Sequence, residues 1–349
     1  MALTGCAGVG EAPAVLLVGV AMPTTTSDRW IADGENVTAQ LEALGHDVDL
    51  EYAENDVATQ VDQIGAMIDA GADALVIGAI DGTALKDVLA RAAGAGIPVI
   101  SYDRLIRDTP DIDYYATFDN ARVGVQQGTS LLTGLGILDA QGEPTGAAGP
   151  FAVELFAGSP DDNNATVFYE GAMSVLKPYL DSGVLVVASG QLDFASIATQ
   201  AWSGDTAAQR MATLMPAYAG GLRLDGVLSP YDGISMALLD VVAQAGYGTP
   251  AQPWPTITGQ DAEIPSVKSI VAGGQYSTIY KDTRQLAEVA VSMVDALLQG
   301  EEPETNDVTS YDNGVEVVPA YLLAPQLVTK DNYADVLVTG GYYTQEDLG

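Results

Sequence analysis

The sequence predicts an α/β fold of two doubly wound halves, each built on a parallel sheet. Three observations predict it. Short apolar runs alternate with segments of helical spacing, the cycle starts afresh past Phe118, and 349 residues exceed the ~150 typical of one domain. Apolar residues make up 48% of the chain and charged residues 17%, which supports large cores and excludes general disorder.

Residues 14–20 form a continuous apolar run, as a strand buried on both faces of a parallel sheet requires. Trp30, Val37, Leu41 and Leu44 then recur at helical spacing, and Gly45 ends that helix. Val48, Leu50 and Tyr52 alternate as a strand, and Val57, Val61, Ile64 and Ile68 ahead of Gly71 predict a second helix. A strand at 75–77, a helix at 85–89 and a strand at 97–100 complete the first series. Repeated βαβ units of this kind imply a parallel sheet with helices on both faces.

The second series begins near Phe118 with a helix over 123–135 and a loop rich in glycine and proline over 142–150. Strands follow at 151–155, 185–187, 226–228 and 256–258, with helical segments between them. A strand at 277–280 and an amphipathic helix over 286–298 leave residues 317–343, too few for a domain. These last pieces are expected to rejoin the two halves, which makes each half discontinuous.

Composition narrows the function. With 47 acidic against 13 basic residues the formal charge is −34, which repels nucleic acid and anionic lipid. One histidine and one cysteine leave too few ligands or bases for most zinc sites and catalytic triads, so no metal and no cofactor is expected. His46 follows Leu44-Gly45 at a helix end and reads as a surface residue. No Gly-x-x-x-x-Gly-Lys is present, and Gly5, Gly8 and Gly10 precede the first strand, so neither a P-loop nor a dinucleotide fingerprint is found. Asp139, Gln141 and Glu143 have calcium-loop spacing without its glycine and distal glutamate. No apolar run reaches the ~18 residues of a membrane span.

In open α/β sheets ligands bind beyond the carboxyl ends of strands. Residues 24–30, 103–104, 118–120, 159–164, 231–232, 260–261 and Lys281 occupy those places. They supply carboxylates that accept from hydroxyls, Asn, Arg and Lys that donate, and aromatic faces suited to the C–H side of a sugar ring. Each alone reads equally as a cap or loop residue. Their recurrence after nearly every strand is what points to a polyhydroxylated ligand.

Four segments carry a resemblance. They are Ser101-Tyr102-Asp103-Arg104, the run from Gly158 through Ser159-Pro160-Asp161-Asp162-Asn163-Asn164 to Ala165, Ser229-Pro230-Tyr231-Asp232-Gly233, and Gly259-Gln260-Asp261-Ala262. Together with residues 23–30 and 276–284, in this order over nearly the whole chain, they resemble the sugar-binding proteins of bacterial ABC importers, in the xylose and multiple-monosaccharide branch. The resemblance implies a type I periplasmic-binding fold, two lobes joined by three hinge strands and closing on one monosaccharide. It implies a tail over 1–13, a first lobe of 14–117 with 283–316, and a second lobe of 118–282 with 317–349.

Carried over residue by residue, the resemblance implies that Arg29, Trp30, Asp103 and Arg104 face the sugar from the first lobe. Asp162, Asn164, Tyr231 and Asp261 face it from the second, with Lys281 beside the hinge and Trp202 as the stacking aromatic of glucose- and galactose-binding relatives. Xylose-binding relatives carry asparagine in place of Tyr231 and tryptophan in place of Leu192. Both changes are expected to alter the pocket wall and favour a broader range over glucose, galactose, arabinose and xylose. Cys6, in Leu3-Thr4-Gly5-Cys6-Ala7, resembles a lipoprotein lipidation site without the charged and apolar regions of a full export signal.

The expected role is therefore a monomeric extracytoplasmic solute-binding protein, held at the surface by a lipid on Cys6, that hands its sugar to an import permease. It is not expected to be an enzyme. Alternatives are a receptor presenting the sugar to a sensor kinase or chemoreceptor, and a carbohydrate-active enzyme using a carboxylate pair. A sugar-responsive repressor would need a basic helix-turn-helix ahead of the first strand.

Overall fold

A computed structural model describes residues 15–349, so Cys6 and the expected tail lie outside the described residues. In the first lobe β1 (Leu17–Met22), α1 (Asp28–Ala43), β2 (Asp47–Tyr52), α2 (Val57–Asp69), β3 (Ala74–Ile77), α3 (Lys86–Ala95), β4 (Val99–Tyr102) and β5 (Tyr114–Phe118) follow one another. All pairings in this sheet are parallel, in the order β2, β1, β3, β4, β5, with one more strand at the β5 edge. The central strands are apolar on both sides because both faces are covered, whereas the edge strand β2 alternates acidic with apolar residues. Val18, Val20 and Met22 of β1 join one core, and Ala21 joins the other with Leu75 and Met67. Gly19 leaves room for that packing, since a Cβ there would stand 2.7 Å from a Leu75 methyl.

The second lobe begins with α4 (Asn120–Gly134), then β6 (Phe151–Leu155), α5 (Asn163–Asp181), β7 (Leu185–Val187), the short α6 (Phe194–Ile197), α7 (Gly204–Leu214), β8 (Gly226–Leu228), α8 (Asp232–Gln244), β9 (Thr256–Ile257), α9 (Ile264–Ala272) and β10 (Ser277–Tyr280). Its parallel sheet has the order β7, β6, β8, β9. Beyond β9, the 276–279 segment is tied on by backbone bonds from Tyr276 to Ile257 and from Ile279 to Gly259. The helix α10 (Thr283–Leu298) returns to the first lobe and buries Leu286, Ala290 and Val294 beside α1 and β1.

The chain end corrects one expected boundary. β11 (Ala320–Leu323) pairs in parallel with β5, and Val318 and Ala320 are buried in the first lobe's core. The first lobe therefore runs through 323 and not 316, and the return comes only with β12 (Gln326–Thr329), which pairs antiparallel with β10. The chain thus passes between lobes at 118–120, 280–283 and 323–326. Asp139 belongs to a local turn, its carboxylate accepting from the backbone N–H groups of Gln141 and Glu143, and among the described residues no cluster is arranged to hold a metal.

Candidate functional site

Strand β1 and the loop after it feed the first turn of α1, which carries Arg29 and Trp30; β4 ends at Tyr102, directly before Asp103 and Arg104. Arg29 grips Asp103 with both ends of its guanidinium, Nη1 to Oδ2 at 3.1 Å and Nη2 to Oδ1 at 2.6 Å. This fork-to-fork geometry is the strongest form of ion pair. Its Nε lies 3.0 Å from Asp33, one turn along α1, and Tyr102 donates its hydroxyl to the same carboxylate at 2.5 Å. The Trp30 ring lies beneath the guanidiniums of Arg29 and Arg104, at 4.9 and 5.1 Å.

From the second lobe, Asp162 caps α5 by accepting from the Asn164 N–H, and its other oxygen lies 3.0 Å from Arg104 Nε across the cleft. Asn164 donates to the Asp103 carbonyl at 2.8 Å and accepts from Tyr115 at 3.1 Å, both in the first lobe. Asp261 follows β9 with its Oδ1 3.1 Å from Lys281 Nζ and 3.7 Å from Arg29 Nη1. Lys281, at the end of β10, is also 3.7 Å from Asp103 and lies over the Phe168 and Phe118 rings at 5.7 and 5.9 Å. Trp202 meets Phe168 and Tyr231 edge-on at 6.4 and 6.3 Å. It lies so close to the Gly158 backbone that a Cβ there would stand 2.0 Å from its ring.

All ten expected residues line one cavity of about 700 Å³ between the lobes. That volume is in the range of small-molecule sites. Eight described residues other than glycine have a positive φ, and five of them, Asn55, Asp103, Ala201, Trp202 and Asp261, line this cavity. Left-handed backbone is costly for such residues and gathers where a side chain must be aimed.

The electrostatics hold these groups in fixed states. Burial pushes the Asp103 carboxyl up, but Arg29 and Lys281 outweigh it and keep the group well below the usual carboxylate range. Two cations, Arg29 and Lys281, face three carboxylates, Asp33, Asp103 and Asp261. The deficit falls on Asp33, which burial pushes up to about 7. Asp162 is raised by burial despite Arg104. A wall of mutually paired charges offers acceptors and donors to hydroxyls, while Asp103 is too acidic to serve as a proton donor to a leaving group.

Leu192 does not reach this wall. It is 39% exposed and outside the cavity lining, because its neighbour Gln191 turns to bind Arg210 at 2.9 and 2.6 Å. The expected contribution of Leu192 to the pocket is thus withdrawn, whereas Tyr231 does line it. His46 is partly buried just past the end of α1 and is not among the residues that line the cavity.

Two residues at or beside the cavity escaped the sequence reading. Phe168, in α5, projects from a helical position indistinguishable from core spacing. Glu263, just after Asp261, accepts from Tyr231 at 2.7 Å and from Ser27 of the first lobe at 3.0 Å. The acidic residue two places after Asp261 was the available signal for it.

Comparisons with known proteins agree with this geometry. Residues 18–302 match the model of the periplasmic binding protein domain. The multiple sugar-binding periplasmic receptor ChvE of Rhizobium radiobacter is 53% identical over 356 residues, covering 100% of this chain and 99% of that protein. The multiple sugar-binding periplasmic protein SbpA of Azospirillum brasilense is also 53% identical, covering 94% of this chain and 90% of that protein. The crystal structure of an ABC transporter solute binding protein from Clostridium phytofermentans with bound β-D-glucose superposes with a TM-score of 0.88 at 46% identity, covering 95% of this chain and 100% of that one. With two parallel-sheet lobes, three passages between them and a charged cavity at their facing strand ends, the chain belongs to the periplasmic binding protein domain family.

Proposed function

We propose that this protein binds an uncharged monosaccharide in the cavity between its lobes and delivers it to an ABC import permease, outside the cytoplasm. The observation that carries the reading is the self-neutralised wall. Arg29, Arg104 and Lys281 each have a carboxylate partner within 3.1 Å, so the cavity presents many hydrogen-bonding atoms and little uncompensated charge. Trp202 and Phe168 add aromatic faces for the apolar side of a sugar ring. Arg29, Trp30, Asp103, Arg104, Asp162, Asn164, Trp202, Tyr231, Asp261 and Lys281 are the proposed sugar-binding residues.

The names of its relatives support the ligand class and the transport role. A lipid on Cys6 would hold the protein beside the permease, and transfer to detergent that is lost in Cys6→Ser tests that anchor. Among the described residues no helix is long and apolar enough to cross a membrane. A thermal-shift screen over glucose, galactose, arabinose and xylose tests the binding itself. A sugar at 100 times its dissociation constant adds about 2.7 kcal/mol of stability. No shift with any of the four overturns the reading.

A further inference from the structure

We propose that Glu263 is a positioning residue that fastens the closed lobes together and aims the Tyr231 phenol into the cavity. The inference rests on the sugar-binding reading of that cavity. One oxygen, Oε1, accepts from two hydroxyls at once, Ser27 of the first lobe at 3.0 Å and Tyr231 of the second at 2.7 Å. A carboxyl oxygen has two lone pairs, so Oε1 can serve both hydroxyls at once. Only the bond to Ser27 crosses the cleft, so it stabilises the closed state alone, whereas the bond to Tyr231 lies within one lobe.

The stem of Glu263 is held firmly enough to serve as a latch. Its backbone N–H donates to the buried Asp232 at 3.0 Å, and the same carboxylate accepts from Gln275 and Thr278, each at 2.9 Å. Asp261 and Ala262, immediately before it, take the left-handed conformation. Glu263 also occupies the N-cap position of α9, yet its side chain caps nothing there. Its carboxylate is thus turned away from the helix and toward the other lobe.

The ion pairs across the cleft, Arg104 with Asp162, Arg29 with Asp261 and Lys281 with Asp103, are made by residues that line the cavity and must share their atoms with a ligand. Glu263 is outside that lining, and although Ser27 lines the cavity it already spends its hydroxyl proton on Glu263, so the latch asks for no carboxylate that a ligand would use. A protein whose binding-competent state is only partly populated loses apparent affinity in proportion, and a latch that raises that population raises affinity without touching the sugar.

The test compares Glu263→Ala, Glu263→Gln and Ser27→Ala with the wild type. Sugar release is followed by stopped flow with the best monosaccharide of the screen. Lobe separation in the ligand-free protein is measured between spin labels at Glu42→Cys and Lys177→Cys in a Cys6→Ser background. Glu263→Ala should release sugar about tenfold faster and lengthen the distance between labels, while the ligand-free melting temperature stays near wild type. Glu263→Gln, which keeps a carbonyl acceptor, should recover most of both effects, and Ser27→Ala should reproduce the longer distance. Wild-type release and distance in Glu263→Ala overturn the latch. A wild type that binds no sugar overturns the sugar reading instead, and the label distances of the ligand-free variants then decide the latch by themselves.

Discussion

In the first lobe Arg29 with Asp103 and Tyr102 with Asp33 make short hydrogen bonds, Arg29 Nε lies 3.0 Å from Asp33 without an aligned one, and all four are at least nine-tenths buried. The second lobe's polar groups are less complete by themselves. Asp162 finds its cation only across the cleft, and Asp261 Oδ1 lies near Lys281 and Arg29 with no aligned hydrogen bond. The second lobe instead supplies aromatic surface from Phe168, Trp202 and Tyr231. The contrast teaches that the first lobe carries a charge network within its own core, while in the second Asp162 has its cation across the cleft and Asp261, beside Lys281 of its own lobe, keeps acceptor capacity for the proposed ligand. Damage to the first should cost folding and binding together, and damage to the second should cost binding alone.

The largest effect is expected from Asp103→Ala. It removes the bidentate partner of the buried Arg29, leaving that guanidinium only the unaligned Asp33 and the longer contact to Asp261, and breaking such a pair costs about 3–5 kcal/mol. Denaturant unfolding should show that loss, with no measurable sugar binding. Asp261→Ala comes next and draws the contrast most sharply. A desolvated carboxylate that accepts two sugar hydroxyls contributes roughly 1.5–3 kcal/mol for each, so affinity should fall by about two orders of magnitude in calorimetry while ligand-free melting stays near wild type. A strongly destabilised Asp261→Ala with intact affinity would place this residue with the first lobe's framework and erase the distinction.

Gly158→Ala should have a smaller effect. The added methyl meets the Trp202 ring, which must shift, and losing an aligned aromatic face should weaken sugar binding about tenfold with the carboxylates untouched. Unchanged affinity would remove Trp202 from the site. The smallest effect concerns pH. Asp33 in the first lobe and Glu263 in the second are both pushed up to about 7, chiefly by burial. The folded chain therefore holds these protons more tightly than the unfolded one. The stability they add is complete below their ordinary range near 4 and is lost as pH rises through about 7. Ligand-free protein should melt several degrees higher at pH 5 than at pH 8, and Asp33→Asn should flatten part of the difference. A melting temperature that rises toward pH 8 would contradict this.

Much of the site was legible because the fold makes it so. In a parallel sheet the chain leaves every strand at the same edge, and residues after 22, 102, 157, 230 and 260 need only be read off once the strands are found. What stayed hidden lacks a local signal. Phe168 has the spacing of any core residue on α5, and Asp33 looks like a solvent-facing acid on α1 until Arg29 and Tyr102 close over it. The third passage was misplaced because β11 and β12 are four-residue strands separated by two residues, and no periodicity in so short a stretch says that they belong to different sheets.

The three passages near 118–120, 280–283 and 323–326 also have a mechanical meaning. A single linker allows the two bodies it joins to swivel freely, whereas three strands side by side resist torsion and leave bending about one common axis as the soft motion. Any opening of the cleft then retraces one arc, and Asp261 comes back to Arg29 at the same height and angle each time. Were the cleft to open, its two walls would meet again along a single path.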